Sequence, residues 1–192
     1  MEQEESSYWD AIEPIWDIVN FYDREETYLA SISTLDRPLV LLYAAHFAYS
    51  EICNGGFQQF YWNSTGAIGP ETVEGYRMIG MPELATLVER ASALLESPYP
   101  RDRQLRQRVL FRVSGCGELD SKSTDNFKKL YDVSDKADAP IDWNALNKDF
   151  YHLAETENGG FEAAANRYAA IHAAIHKAVG INKPSLHPPD EE

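Results

Sequence analysis

Apolar positions recur with the period of a helix along almost the whole chain. Residues 8–21 carry Ile12, Ile15, Trp16 and Val19 at i, i+3, i+4 and i+7, one stripe of an amphipathic helix. Pro14 fits that stripe only inside a first turn, which moves the expected start to near Asp10. Asp10, Glu13 and Asp17 then fall within roughly 60° of one another at 100° per residue, on the side away from the stripe. Further helices are expected over 24–33, 38–53, 56–64, 70–79, 82–96, 101–113, 124–132, 143–157 and 160–179. Ser97-Pro98-Tyr99-Pro100 and Ser114-Gly115-Cys116-Gly117 stop two of them. Asp142 reads as an N-cap, and Gly180, with Lys177 before it and Pro184 beyond, reads as a C-terminal stop. No segment alternates with period two. The expected fold class is all-α: a compact single-domain bundle of about eight to ten short helices. That domain spans 1–183, ahead of a mobile, acidic, Pro-rich tail over 184–192.

The sharpest break in the pattern is Asn54-Gly55-Gly56, set between the apolar run 39–52 and an aromatic run of Phe57, Phe60, Tyr61 and Trp62. Glycine takes positive φ without steric cost and asparagine does so readily. The triplet therefore predicts a joint that stops one helix and starts the next at a fixed angle, with both glycines at positive φ. Asn158-Gly159-Gly160-Phe161 repeats the tetrapeptide, so a similar joint is expected there. Two glycines at a helix start also expose N–H groups to an anion, so the first joint is a candidate ligand site as well as a structural one.

The acidic Glu51 followed by Asn54, Gly55, Gly56, Phe57, Gln59, Phe60, Asn63 and Gly66 resembles the signature of the bacterial DNA-mimic protein family. Tyr76-Arg77-Met78-Ile79-Gly80, ahead of the 84–95 helix, fits the same pattern, and the likeness is good over about 38–95. The resemblance implies an all-α fold and no catalytic residues. For characterised members it also implies binding to DNA-binding proteins in place of DNA.

Charge bears on that implication. Thirty-one acids against seventeen bases give −14, and the phosphates of nucleic acid would be repelled. Residues 1–36 hold ten acids and only Arg24, whereas Arg101, Arg103, Arg106, Arg108 and Arg112 crowd into twelve positions. The arginine cluster has three readings: neutralisation of acids within the chain, a homodimer contact, or contact with nucleic acid. A chain of this length should be about 40 Å across, and that length of duplex carries about two dozen phosphate charges. The carboxylates suffice for such an imitation only if they are segregated from the bases. Asp10, Glu13 and Asp17 are the expected partner-binding stripe, extended by Glu25, Glu26, Asp132, Asp135 and Asp138.

Other chemistry is thinly represented. His172 and His176 have the i, i+4 spacing of a shared metal, but no glutamate lies between them. Asp132, Asp135 and Asp138 lack the alternate-residue ligands and glycine of a calcium loop. Ser114, Cys116 and Ser121 have no base nearby in sequence, and Cys53 reads as a small buried hydrophobe. No cofactor or metal is expected. The acidic N-terminus and the lack of a long apolar run point to a cytoplasmic protein with no membrane association. The expectation is a non-enzymatic domain that binds a DNA-binding protein, a transcription regulator or nucleoid protein, and no nucleic acid directly. Two alternatives stay open: a small helical enzyme or ligand-binding domain centred on Asn54-Gly55-Gly56, and a stress or immunity protein with a partner unrelated to DNA.

Overall fold

The computed structural model describes residues 7–22 and 24–178. Among them are nine α-helices and no strand. The helices are α1 (Trp9–Ile12), α2 (Glu25–Ser33), α3 (Arg37–Trp62), α4 (Gly69–Met78), α5 (Pro82–Ala93), α6 (Arg103–Val113), α7 (Asn126–Ser134), α8 (Trp143–Thr156) and α9 (Phe161–Ala178). The tail 184–192 and the stop at Gly180 lie outside the described residues.

The long helix α3 is the axis on which the rest is built. Its first limb presents a nearly unbroken buried run from Val40 to His46, too apolar to face water on any side. Helix α4 lies against this limb and α1 covers its outer side. The second limb buries Phe57, Phe60 and Tyr61 completely. Phe57 meets Phe150 of α8 edge-on at 5.6 Å; Phe150 meets Tyr76 of α4, and Tyr76 meets Phe161 at the start of α9. These aromatic contacts tie four helices into one core.

The break in α3 differs from the sequence expectation. Gly55 has φ −154°, outside the left-handed region, and only Gly56 has positive φ, at +70°. One left-handed residue is enough because the chain bends and then resumes helix at once. The second joint is of another kind. Asn158, Gly159 and Gly160 take φ of 51°, 82° and 89° in succession, reversing the chain between α8 and α9. Glu157 beside it accepts the N–H groups of Glu83 and Leu84, both at 2.8 Å, and so caps the start of α5.

The N-terminal segment is also shorter and tighter than its stripe suggests. Helix α1 ends at Ile12 and passes into a 3-10 turn at Glu13–Ile15, where Pro14 sits. The tighter turn shifts the angular phase. Ile12, Ile15 and Val19 are buried, but Trp16 is left 43% exposed. For the same reason Asp10, Glu13 and Asp17 do not share one face of a continuous helix, although all three are exposed. Cys53 corrects the sequence reading too. It is exposed, because Ile52 takes the inward position and the next residue turns about 100° away.

A Cβ on Gly56 would stand 2.4 Å from Asn147 Nδ2 of α8, in addition to its strained φ. Gly56→Ala is expected to lower stability by about 2–4 kcal/mol. In an Asn147→Ala background only the φ term remains, so the loss should shrink to about 1 kcal/mol. Denaturant unfolding of the four chains in this double-mutant cycle measures both values.

Candidate functional site

Breaking a helix frees backbone groups that must find new partners. At Gly55-Gly56 they find them on α7 and α8. Phe57 N–H donates to Asn147 Oδ1 at 2.9 Å, and Asn147 Nδ2 donates to Gln58 Oε1 at 3.0 Å. On the other side, Tyr151 Oη donates to Ile52 O and Tyr131 Oη to Gly55 O. Burial, then the neighbouring Tyr151 and Glu51, push the Tyr131 hydroxyl up to about 12, so it stays a donor at neutral pH.

The half-buried Glu51 spans the break from within α3. Its carboxylate accepts from Gln59 Nε2 at 2.8 Å, Asn63 Nδ2 at 3.0 Å and Thr65 Oγ1 at 3.1 Å. One carboxylate on the first limb thus holds two amides on the second and fixes the bend angle. Of the remaining motif residues, Phe57 and Phe60 are core and Asn54 is an exposed helical residue. Gly66 is buried against the Arg106 guanidinium. The motif is brought together as a brace. With Phe57 N–H already taken and Gly56 buried, little of the break is open to an anion.

The arginine cluster is divided in a way its spacing did not reveal. Arg106 is fully buried and pairs with no carboxylate among the described residues. It donates to Tyr61 O, Asn63 O, Pro100 O and Arg101 O, closing the C-terminal end of α3. Burial pushes its guanidinium below the ordinary arginine value. Arg103 donates to Trp62 O at the same helix end. Arg101 forms a two-pronged pair with the buried Glu71 at 2.7 and 2.8 Å, and Arg112 pairs with Glu96. Arg108 alone of the five is exposed without an ion pair or hydrogen bond among the described residues.

The acids face solvent, as does every lysine and arginine with a described side chain except Arg101 and Arg106. Every described Asp and Glu is exposed except Glu25, Glu51, Glu71 and Glu157. Of the expected partner-binding residues, Asp10 accepts Ser7 N–H at 2.9 Å, Asp132 pairs with Lys128, and Asp135 accepts from Asn144. Glu25 lies 4.0 Å from Arg101 Nε. Glu13, Asp17, Glu26 and Asp138 are exposed.

The minor candidates separate cleanly. His172 Nε2 lies 3.1 Å from Asp36, and the side chain of His176 lies outside the described residues. Among the described residues no three His, Cys, Asp or Glu side chains gather as a metal site. Ser114 Oγ accepts from Trp143 Nε1, and burial pushes the Cys116 thiol up, which disfavours a nucleophilic thiolate. Nor is any helix among the described residues long and apolar enough to cross a membrane.

Two residues that sequence reasoning passed over anchor the N-terminal segment. Tyr8 Oη bonds His46 Nδ1 at 2.9 Å, and Tyr8 N–H donates to Asn166 Oδ1 at 2.8 Å. Burial drives the His46 imidazole down from 6.5 to about 4.

These features define an all-α protein whose kinked central helix is braced by polar side chains and whose carboxylates are turned to solvent. The family model described as DMP19-like protein matches residues 33–173, and the chain belongs to that family. The membership supports the likeness to DNA-mimic proteins. Neither a curated protein nor a solved structure matches the chain.

Two tests follow from this geometry. Arg106→Met strips donors from four carbonyls and should cost at least about 3 kcal/mol. Arg108→Gln should stay within about 0.5 kcal/mol; equal effects in chemical denaturation would contradict the assignment. His46 is neutral when folded, whereas the unfolded chain takes up its proton below 6.5. Its contribution is therefore complete above pH 6.5 and falls as pH drops toward 4, by about 1–2 kcal/mol at pH 5. The stability difference between pH 7 and pH 5 should be smaller in His46→Gln by that amount.

Proposed function

We propose that this protein binds a DNA-binding protein in place of DNA, through its exposed carboxylates and without catalysing a reaction. Membership of the DMP19-like family supports this reading. The observation that carries it is the excess of exposed carboxylates over exposed cations. Arg101 and Arg106 are drawn inward onto Glu71 and backbone carbonyls. Arg37, Arg77, Arg112 and Lys128 are each held by a neighbouring carboxylate. Every other lysine and arginine with a described side chain is exposed, but the exposed carboxylates outnumber them, so the excess behind the net −14 faces solvent. A partner evolved to grip phosphate rows would meet a field of the same sign. A transcription regulator or a nucleoid protein has the required chemistry.

The experiment is affinity capture from extract of the native cell, followed by elution with salt and with duplex DNA. A DNA-binding protein should be captured, and both eluants should release it. Asp10→Asn/Glu13→Gln/Asp17→Asn and, separately, Asp132→Asn/Asp135→Asn/Asp138→Asn alter only exposed positions, so folding should survive. At least one set should lower affinity about tenfold or more, as three charge contacts of about 0.5–1 kcal/mol each would. A captured protein that survives high salt, ignores DNA and binds both variants as tightly as the parent contradicts the proposal.

A further inference from the structure

The N-terminal segment carries an exposed aromatic surface that core packing does not account for. Trp9 is 38% exposed, Trp16 43% and Tyr22 76%. The two indoles stack with centroids 5.7 Å apart and planes 25° from parallel. Trp16 lies 4.7 Å from Phe47, Phe47 lies 5.4 Å from Phe21, and Phe21 lies 4.6 Å from Tyr22. Trp9 and Trp16 therefore form one exposed aromatic face, backed by the part-buried Phe47 and buried Phe21, with Tyr22 exposed beyond them; it is held down by the Tyr8–His46 bond and by the buried Ile12, Ile15 and Val19. Contiguous exposed aromatic surface of this kind is a mark of an interaction site.

Its charge says what would sit on it. Residues 7–22 contain Asp10, Glu13 and Asp17 and no lysine or arginine. Asp10 follows Trp9 and Asp17 follows Trp16, while Glu13 is about one helical turn from each indole. Asp17 stands close enough to Tyr43 to raise its hydroxyl, after burial and Tyr22, and the Tyr43 ring is 6.3 Å from Trp16. The charge exposed on this segment is therefore wholly negative, with Asp17 close to the aromatic cluster. An indole face attracts a cation, and a guanidinium is planar, weakly hydrated and able to stack while its edge N–H groups reach carboxylates. An ammonium satisfies the carboxylates but stacks poorly.

We propose that the Trp9–Trp16 face is a docking surface for an arginine side chain of the protein partner. The inference rests on the partner reading above and adds a recognition element to it. Its two indoles lie outside the family-matched stretch 33–173, so they are an addition to whatever charge-based binding that stretch supports. The net charge of −14 opposes a second copy of this chain as the occupant.

The probe is a labelled octa-arginine peptide, with octa-lysine as its control, titrated into the full chain at moderate salt. The parent should prefer octa-arginine, and binding should shield indole emission from acrylamide. W9L/W16L keeps apolar bulk but removes the π faces. It should weaken octa-arginine binding about fivefold to tenfold, leave octa-lysine within about twofold, and keep its circular dichroism. Unchanged octa-arginine affinity in W9L/W16L overturns the inference, as does an absence of shielding in the parent, which needs no variant. Self-association in sedimentation that W9L/W16L abolishes would overturn it in favour of a second copy. Should Asp10→Asn/Glu13→Gln/Asp17→Asn weaken both peptides while W9L/W16L weakens neither, this inference fails and the charge-based reading stands. If the acid variants bind both peptides like the parent, the charge-based reading at this segment fails as well.

Discussion

The bend at Gly55-Gly56 is the constraint on which the other elements depend. A straight helix of twenty-six residues would carry Phe57, Phe60 and Tyr61 away from the core that α4 builds on the first limb. The bend returns them to it, at the cost of an interrupted hydrogen-bond ladder. Asn147, Tyr131 and Tyr151 restore those bonds from two other helices, and Glu51 restrains the angle from within. Helices α7 and α8 are thus positioned by polar contacts as much as by the apolar ones. Gly56 is required because no other residue admits Asn147 so close to the backbone at that φ.

The far end of α3 is finished by a related device. Arg106, Arg103 and Gln107 all donate to carbonyls of its last residues, two of them to Trp62 O. A buried guanidinium set on main-chain oxygens uses a cation as a helix cap. That choice has a consequence at the surface. A carboxylate that would otherwise neutralise this arginine is left to the surface, which adds one charge to the exterior acid excess. The proposed function draws on that excess.

Much of this was legible in the sequence where a single local rule decides the outcome. Helix periodicity placed α2 to α9 to within a few residues, and Asp142 caps α8 through Ala145 N–H as its type and position suggested. The Asn-Gly-Gly triplets marked both joints. What the sequence did not disclose depends on partners distant in the chain. Nothing local distinguishes Gly56, which bends a helix, from Gly159-Gly160, which reverses the chain; the difference lies in Asn147, ninety residues away from Phe57. Arg106 and Arg108 look alike in a run of arginines, yet one faces the end of α3 and the other faces water. Trp16 fitted an apolar stripe that Pro14 had already put out of phase.

If this protein stands in for DNA, the two must occupy one site on the same partner. The most direct measurement follows the fluorescence anisotropy of a labelled duplex bound to the captured partner while this protein is added. Anisotropy should fall to the value of free duplex, and the protein–partner complex itself should weaken steeply as salt is raised. A rise in anisotropy, marking a ternary complex of duplex, partner and this protein, would contradict a shared site.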